Sequence, residues 1–276
     1  INTKIRFVLS RGKKNEIVFV RNDLSNMGIF TTEDMIRYDS RVIFFNNQID
    51  QLMFYVKGFD FKDMKKLYNN IRVDHLHDPT NEVNFISNQG LSQTTITSGG
   101  FNKIIASPAL INFVPSIDYK NEISLNLGRV DENGDHDDGF ATVATRYASL
   151  NSGFGRRENN ILSISDSSKT TVIDNNYSEY SNIAITNRRN LEIILSGFKN
   201  RGQFLNPAEN DTSESTSNNI LLKVDQWSPL TGRISLFGSN QQLYGTEKNR
   251  INYIRKNDQC SSLGFLFEND IDNFLF

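Results

Sequence analysis

Short apolar runs alternate with short polar stretches along almost the whole chain. Near the start, Ile5, Phe7 and Leu9 alternate with polar residues, and a second apolar run over 16–21 follows a polar stretch over 11–15. Alternation with period two is typical of a strand with one buried face, and the Gly and Asn residues between the two runs favour a turn. The pattern therefore predicts a β-hairpin in this part of the chain.

The same pattern continues through the rest of the sequence. The continuous apolar runs at 41–45 and 51–57 are typical of strands that are buried on both faces. Beyond Pro79, candidate strands recur at a spacing of about 8–12 residues, which is typical of a β-sandwich or a barrel. These candidate strands are 83–87, 94–98, 103–106, 110–114, 122–130, 140–149, 160–165, 170–174, 181–186, 191–198, 219–224, 232–237, 251–255 and 262–267.

Asn-Asn pairs occur beside many of the apolar runs. The pairs lie at 46–47, 69–70, 159–160, 175–176 and 218–219. Asn tolerates the left-handed backbone conformation and hydrogen-bonds to its own main chain, so it is favoured in turns. We therefore expect the Asn-rich stretches to be turns and exposed loops between strands.

One segment has the period of a helix instead. Met64, Leu67 and Ile71 would fall on one face of a helix over 61–71, and Asp60 is a good residue to cap its first turn. The sequence therefore predicts one prominent helix near 61–71, with its apolar stripe as a packing face.

Together these elements predict an all-β protein with an antiparallel β-sandwich of jelly-roll type, in one or two sandwiches. The strands do not alternate with helices, so a parallel sheet is not expected. Two polar stretches, 151–160 and 206–219, are predicted to be long loops. The first of them would divide a β-rich domain over 1–150, which carries the helix, from a β-sandwich domain over 151–276. A single large domain is the alternative.

Composition narrows the class of function. Apolar residues make up 37% of the chain, and the formal net charge is −2. This charge argues against a protein that binds nucleic acid through bulk positive charge. No stretch approaches the roughly 18 consecutive apolar residues of a membrane-spanning helix, so no membrane span is expected. The single cysteine, Cys260, has no partner for a disulfide within the chain.

An acidic cluster between two predicted strands is a candidate metal site. Asp131, Asn133, Asp135 and Asp137 alternate as the ligands of a calcium loop do, because a hard cation needs several oxygens around one centre. The spacing departs from an EF-hand, since Gly134 occupies the fourth position instead of the sixth. A solvated hairpin tip is the simpler interpretation. A divalent cation bound there would order a turn or a contact between subunits.

The histidines form a second candidate metal site. His75 and His77 would lie on the same side of an extended segment, which is one way to offer two nitrogen ligands to a transition metal, and His136 is the remaining histidine. A solvated strand end that runs into Pro79 is the simpler interpretation. No Gly-x-Ser-x-Gly elbow or phosphate-binding Gly loop is present. We therefore expect no catalytic residues, no enzyme activity, and no cofactor beyond a divalent cation.

The remaining candidates concern contacts between subunits. The apolar end Phe274, Leu275 and Phe276 must dock on the chain's own core or on a neighbouring subunit. Arg156 and Arg157 are flanked by polar residues, and we expect them to form salt bridges between subunits or to lie in solvated turns.

These features favour a structural subunit of a large assembly, such as a capsid, minor capsid or tail protein of a virus or phage particle. Its partners would be copies of itself and other subunits, with no direct nucleic-acid binding, and its location would be the virion or an extracellular assembly. One alternative is a glycan-binding module, in which Trp227 in a predicted turn stacks on a sugar ring beside Tyr244 and Tyr253. Another is a metal-dependent hydrolase that uses the three histidines.

Overall fold

The structure is a computed structural model. It describes residues 16–20, 42–46, 52–56, 59–60, 64–73, 90–98, 109–131, 134–165, 168–206, 211–228 and 232–268. Nearly all of these residues lie in strands, and none of them lies in an α-helix. The prediction of an all-β protein is confirmed.

The strands are named in chain order. They are β1 (Glu16–Val20), β2 (Val42–Asn46), β3 (Leu52–Val56), β4 (Phe59–Asp60), β5 (Lys65–Tyr68), β6 (Ile71–Arg72), β7 (Leu91–Ser98), β8 (Ala109–Pro115), β9 (Glu122–Asp131), β10 (Gly134–Ala144), β11 (Ala148–Ser165), β12 (Ser168–Thr186), β13 (Leu191–Asn206), β14 (Asp211–Ser228), β15 (Gly232–Lys248) and β16 (Tyr253–Glu268). They form a five-stranded sheet of order β1-β7-β8-β5-β6, a three-stranded sheet of order β2-β3-β4, and an eight-stranded sheet.

The eight-stranded sheet is a meander from β9 to β16, in which each strand pairs with the next strand of the chain. All of its pairs are antiparallel. Its last six strands have 16 to 19 residues each, whereas strands of globular proteins usually have about 3–10. A jelly roll places non-consecutive strands side by side through Greek-key connections. The order of this sheet therefore differs from the predicted jelly-roll arrangement.

Asn residues shape two of the turns between these long strands, but the Asn-Asn pairs at 159–160, 175–176 and 218–219, which were predicted to be turns, lie inside β11, β12 and β14. Between β12 and β13, the Asn187 side-chain oxygen accepts hydrogen bonds from the backbone N–H groups of Arg189, Asn190 and Leu191, each at 2.9 Å. Between β15 and β16, Asn249 accepts in the same way from the backbone N–H of Asn252. These side chains replace the backbone partners that the turn removes.

The predicted helix near 61–71 is wrong over the part that the structure describes. Residues 65–68 form β5, and the chain then turns at Asn69 and Asn70 into β6. Both Asn residues are left-handed, with φ of 51° and 67°, which is the backbone of a two-residue type I′ hairpin turn. Leu67 and Tyr68 are both buried, so this strand is covered on its two faces. A strand covered on both faces and a helix with one apolar face produce the same apolar spacing here.

The two predicted long loops are also wrong over the residues that the structure describes. Residues 151–160 lie within β11, and residues 211–219 lie within β14. Each of these strands is hydrogen-bonded on both sides, so the backbone groups of the polar residues are satisfied by neighbouring strands. The division of the chain into domains over 1–150 and 151–276 stays a prediction, although β11 runs through the proposed boundary region.

The hydrophobic core lies mainly in the five-stranded sheet. Leu67, Ile96, Ile111 and Phe113 are at most 1% exposed. The pairs in this sheet are antiparallel except β5 with β8, which is parallel. Within the described ranges, no helix is long and apolar enough to cross a membrane.

Candidate functional site

The two faces of the eight-stranded sheet differ in polarity. Side chains alternate between the faces along a strand. We call the face that contacts the five-stranded sheet the inner face, and the opposite face the outer face. In β13, for example, Ile194, Ser196 and Phe198 are buried on the inner face, and Leu195 on the outer face is 41% exposed.

The outer face carries exposed large apolar side chains that lie beside one another in the strand register. Leu150 pairs with Ile183, Ile183 with Leu195, and Leu195 with Leu222, on four successive strands. We call the whole set the apolar band. Its exposed members are Ile123, Leu125, Val143, Leu150, Phe154, Ile183, Ile185, Leu195, Ile220, Leu222, Ile234, Leu236, Leu263, Phe265 and Phe267. Single exposed apolar residues are ordinary, but a contiguous apolar surface of this extent marks a site of interaction with another protein or with a membrane.

The inner face is buried and yet rich in polar side chains. The buried polar residues of this face include Asn151, Asn182, Ser196, Asn200, Asn219, Lys223, Asp225, Ser235, Ser239 and Gln241. An antiparallel sheet in water usually has apolar residues on its buried face and polar residues on its exposed face. Where this sheet carries the apolar band the pattern is reversed, because the buried inner face holds many polar residues and the exposed outer face is apolar.

The hairpin β5–β6 of the smaller sheet packs against the inner face. The Tyr68 hydroxyl donates to the side-chain oxygen of Asn182 at 2.7 Å, and its ring lies 5.2 Å from the ring of Phe198. At the end of the hairpin, the Gln241 amide donates to the backbone oxygen of Arg72 at 2.9 Å. Hydrogen bonds and a ring contact therefore join the hairpin to the inner face.

A buried charge cluster lies at the tip of the same hairpin. The Lys223 ammonium donates to the Asn69 side-chain oxygen at 3.2 Å and forms an ion pair with Asp225, also at 3.2 Å. Arg233 forms a second ion pair with the same Asp225 carboxylate. Buried charges are stable only when they are paired, and here the pairing also fixes the hairpin turn through Asn69.

Two tyrosines at the junction between the sheets have raised pKa values. Burial raises the pKa of Tyr68 well above its ordinary range, while its hydrogen bonds to Asn182 and Ser196 act in the opposite direction. Burial also raises the pKa of Tyr119, which precedes β9, and the neighbouring Glu192 carboxylate raises it further. Both hydroxyls are therefore protonated at neutral pH and can donate hydrogen bonds.

A third tyrosine of the inner face occupies space left by glycines. A Cβ atom on Gly90, just before β7, would lie 2.1 Å from the ring of Tyr180, and one on Gly153 would lie 2.3 Å from its hydroxyl oxygen. A side chain at either glycine would therefore displace Tyr180, which lies between the two sheets.

Beyond the apolar band the outer face becomes polar, towards the strand ends that lie away from the turn between β12 and β13. A groove of about 520 Å³ lies there, and we call it the polar groove. Its lining includes Arg156, Tyr177 and Arg201, which are neighbours on β11, β12 and β13. Tyr244 and Arg255 line it on β15 and β16.

The predicted metal ligands are only partly within the described residues. Asp131 is the last residue of β9, and Asp135 and Asp137 lie in the paired part of β10. Asn133, His75 and His77 lie outside the described residues. No group of three or more His, Cys, Asp or Glu residues able to hold a metal ion occurs in the described part of the chain. Both metal sites stay predictions, and so does the absence of enzyme activity.

The predicted contact residues have different outcomes. Trp227 lies near the end of β14, where it is 55% exposed. Arg156 forms an ion pair with Glu158 of its own strand and lines the polar groove. The backbone of Arg157 pairs with that of Asn176 on β12. Phe274, Leu275 and Phe276 lie outside the described residues. The role of Trp227 in ligand binding and the roles of the other residues in contacts between subunits stay predictions.

The apolar band is not among the features that the sequence patterns predict. Its signal is present, since Leu191, Ile193 and Leu195 alternate with other positions along β13, as Ile220 and Leu222 do on β14. The same alternation also fits a strand with its apolar face buried in a sandwich. Alternating segments of about ten residues, separated by turn residues, are also typical of strands that face lipid on one side.

Comparisons with known proteins identify similar folds but no family of similar sequence. No protein-family model matches the chain, and no curated protein matches it either. The FrpB iron transporter of Neisseria meningitidis matches with a TM-score of 0.70 and 10% identity, over 84% of this chain and 40% of that one. The outer-membrane ferripyoverdine receptor of Pseudomonas aeruginosa, solved with ferripyoverdine bound, matches with a TM-score of 0.70 and 8% identity, over 92% and 39%.

The copper transporter OprC matches with a TM-score of 0.66 and 13% identity, over 87% of this chain and 39% of that one. The chain thus spans about two fifths of the length of these three structures. At this low identity the similarity concerns the fold.

The comparisons overturn the predicted function. A structural subunit of a virus or phage particle, with other virion subunits as partners and the virion or an extracellular assembly as its location, is wrong, because the similar structures are transporters and receptors. The glycan-binding and hydrolase alternatives are set aside with it. The expectation of no membrane span is overturned with it, since one similar structure is named as a receptor of the outer membrane. This chain has the fold of part of these transporters and receptors.

Proposed function

We propose that this chain is part of an outer-membrane receptor that takes up a metal or a metal complex. In this proposal β9–β16 form part of the wall of a membrane-spanning β-barrel, and the five-stranded sheet lies inside it. The apolar band carries the proposal, because it is a contiguous apolar surface on the side of the sheet that faces away from the rest of the described chain.

The hydrogen bonding of the sheet supports a membrane position. In hydrocarbon no water can satisfy a backbone N–H or C=O group, so a spanning sheet must pair each strand on both sides. Strands β10 to β15 are paired on both sides. The edges of β9 and β16 would pair with further strands of a closed wall, and the solved structures with this fold are more than twice as long as this chain.

The lengths of the strands support the same position. A tilted strand crosses the hydrocarbon core in about 9–11 residues. Strands β11 to β16 have 16 to 19 residues, so each is long enough to cross and to extend several residues beyond. The extension would be the end that carries the polar groove, while the apolar band would lie in the hydrocarbon.

The nature of the cargo is inferred from the solved structures with this fold. They are named as an iron transporter, a copper transporter and a receptor solved with ferripyoverdine. We infer that the cargo of the whole receptor is a metal ion or a metal chelate, which would pass on the inner side of the wall.

Membrane fractionation tests the proposed position. The full chain is expressed in a bacterium with an outer membrane, and the membranes are washed with alkaline carbonate. We expect the chain to stay in the membrane pellet and to need detergent for extraction. Quantitative release into the wash, as a protein that is monodisperse without detergent, would contradict the proposal.

A binding assay tests the proposed cargo. The detergent-solubilised full chain is titrated with ferric chelates and with copper ions, and the fluorescence of Trp227, the only tryptophan, is followed. Saturable quenching by a metal complex, absent with the metal-free chelator, is the expected result. A retained membrane position without binding of any of these metal species would contradict the cargo alone.

A further inference from the structure

We propose that the polar groove on the outer face binds the phosphate-bearing headgroup of a membrane lipid whose acyl chains cover the apolar band. This proposal rests on the proposed membrane position of β9–β16. It adds a lipid-binding site, separate from the cargo, on the other side of the sheet.

The position of the groove relative to the apolar band fits a lipid headgroup. On β13, Arg201 is six residues beyond Leu195, which is about 20 Å along a strand at about 3.4 Å per residue. A tilt of about 45° reduces this to about 14 Å along the membrane normal, and half of the hydrocarbon core is about 15 Å thick. With Leu195 near the centre of the bilayer, Arg201 reaches the layer of the headgroups.

The charges of the groove fit an anionic group. Its cationic lining residues, Arg156, Arg201, Arg255 and Lys256, outnumber the acidic Glu158 and Glu214. The Arg156 Nε donates to Glu158 at 3.0 Å, and Lys256 forms an ion pair with Glu247 at 3.7 Å. Within the described residues, Arg201 and Arg255 form no ion pair with a carboxylate. A guanidinium binds phosphate with two parallel hydrogen bonds, so these two side chains can hold a phosphate group.

The uncharged residues of the groove connect the charged layer to the apolar band. Tyr177 and Tyr244 line the groove, and tyrosine is enriched where a membrane meets water because its ring is apolar and its hydroxyl is polar. Thr216, which pairs with Tyr244, is four residues from Ile220 of the apolar band on the same strand. On β11, Phe154 of the apolar band is only two residues from Arg156 of the groove, so a lipid with its headgroup in the groove can lay its acyl chains on the band along this strand.

Calorimetric titration of the detergent-solubilised full chain tests this site. The probes are dihexanoyl phosphatidic acid, which has an exposed anionic phosphate, dihexanoyl phosphatidylcholine, whose phosphate carries a choline, and inorganic phosphate. We expect phosphatidic acid to bind at least ten times more tightly than phosphatidylcholine. Inorganic phosphate should bind more weakly than phosphatidic acid, because it gains nothing from the apolar band.

Matched variants locate the binding site. Arg201→Gln combined with Arg255→Gln should lower the affinity for phosphatidic acid at least tenfold. Arg146→Gln combined with Arg189→Gln makes the same change of charge at exposed positions near the opposite ends of the strands, and it should change the affinity less than twofold.

Each result decides the proposal. Equal affinity for the two lipids, or unchanged affinity in the Arg201/Arg255 variant, would overturn it. Inorganic phosphate that binds as tightly as phosphatidic acid would show a site for soluble phosphate and would also overturn it. Failure of this proposal leaves the chain in the alkali-washed membrane pellet, whereas failure of the proposed function releases it from that pellet.

Discussion

At the scale of single residues, the contact between the two sheets depends on buried polar side chains with specific partners. Tyr68 reaches across to Asn182, and Lys223 reaches back to Asn69. A buried polar group that loses its partner keeps the cost of leaving water, so each of these contacts is sensitive to the removal of one atom. The inner face is therefore specific for the surface of the hairpin β5–β6.

Removal of the Tyr68 hydroxyl gives the first prediction. Tyr68→Phe leaves the Asn182 oxygen without this donor, and we expect the free energy of unfolding at neutral pH to fall by about 1–2 kcal/mol. Urea unfolding of the full chain in detergent, followed by circular dichroism, measures this. Tyr177→Phe is the control, because that hydroxyl bonds Glu179 at an exposed contact, and it should cost less.

The same pair of proteins shows the effect of alkaline pH. Above about pH 10 an unfolded tyrosine loses its proton, whereas folded Tyr68 keeps it because burial raises its pKa. The unfolded state then binds fewer protons than the folded state, so the stability of the wild type falls as the pH rises. Tyr68→Phe lacks this contribution and should lose less stability between pH 8 and pH 10.5. Equal losses in the two proteins would contradict the raised pKa.

The glycine beside Tyr180 gives the second prediction. Gly153→Ala places a Cβ 2.3 Å from the Tyr180 oxygen and 2.5 Å from the backbone oxygen of Gly139. The clash should lower the free energy of unfolding by about 1–3 kcal/mol in the urea assay. Gly197→Ala is the matched control in the same sheet, since its nearest atom would be 3.9 Å away. We expect it to change stability by less than about 0.5 kcal/mol, and equal effects would exclude the close packing of Tyr180.

At the scale of elements, the hairpin β5–β6 depends on its turn. Asn70 is left-handed, and its side-chain oxygen accepts a hydrogen bond from the Asn112 amide at 2.9 Å. Asn112 in turn accepts from the backbone N–H of Asn70 at 3.0 Å. The turn is thus fixed both by its own backbone conformation and by β8, and it presents Asn69 to Lys223.

A pair of substitutions separates these two contributions and gives the third prediction. Asn70→Gly and Asn70→Ala both remove the bond from Asn112, but only Gly adopts the left-handed conformation without strain. We expect the Ala variant to be less stable than the Gly variant by about 1 kcal/mol. Urea unfolding of the two variants measures the difference. Equal stabilities would mean that position 70 leaves the left-handed region.

The elements also show where sequence patterns suffice. The predicted strands at 110–114 and 122–130 coincide with β8 and β9, because alternating or continuous apolar runs between turn residues have few other interpretations. The segment at 61–71 fails because two-sided burial gives a strand the apolar spacing of a helix. The polar segment at 211–219 fails for the opposite reason. Its residues need no apolar core to form a strand, because the neighbouring strands β13 and β15 satisfy their backbone groups.

At the scale of the whole molecule, the decisive property is which face of the large sheet is exposed. The apolar band would make this protein aggregate in water, since it presents an apolar surface across the sheet. In a bilayer the same surface is favourable. The charged and polar residues of the outer face beyond the band, including those of the polar groove, would then lie outside the hydrocarbon.

Charge on the apolar band gives the fourth prediction. Leu195 and Leu222 are neighbours on β13 and β14, and Leu195→Arg combined with Leu222→Arg places two charges in the hydrocarbon, at about 2–4 kcal/mol each near its centre. We expect this variant to be lost from the alkali-washed membrane pellet. The control is Gln203→Arg combined with Thr246→Arg, which lie on the same face on either side of Glu214, eight residues beyond Leu195 on β13. It should stay in the pellet, and loss of both variants to the same extent would contradict the membrane position of the band.

The sequence by itself determined the all-β class of the fold, the positions of several strands and the use of Asn in some of the turns, while three of its five Asn-Asn pairs lie inside strands. These follow from local physics, since the period of apolar residues and the left-handed tolerance of Asn act over a few neighbouring positions. Only the tertiary structure decided which face of the long strands is covered. Alternation divides a strand into two faces but does not say which is buried, and here the five-stranded sheet covers the polar one and leaves the apolar band exposed.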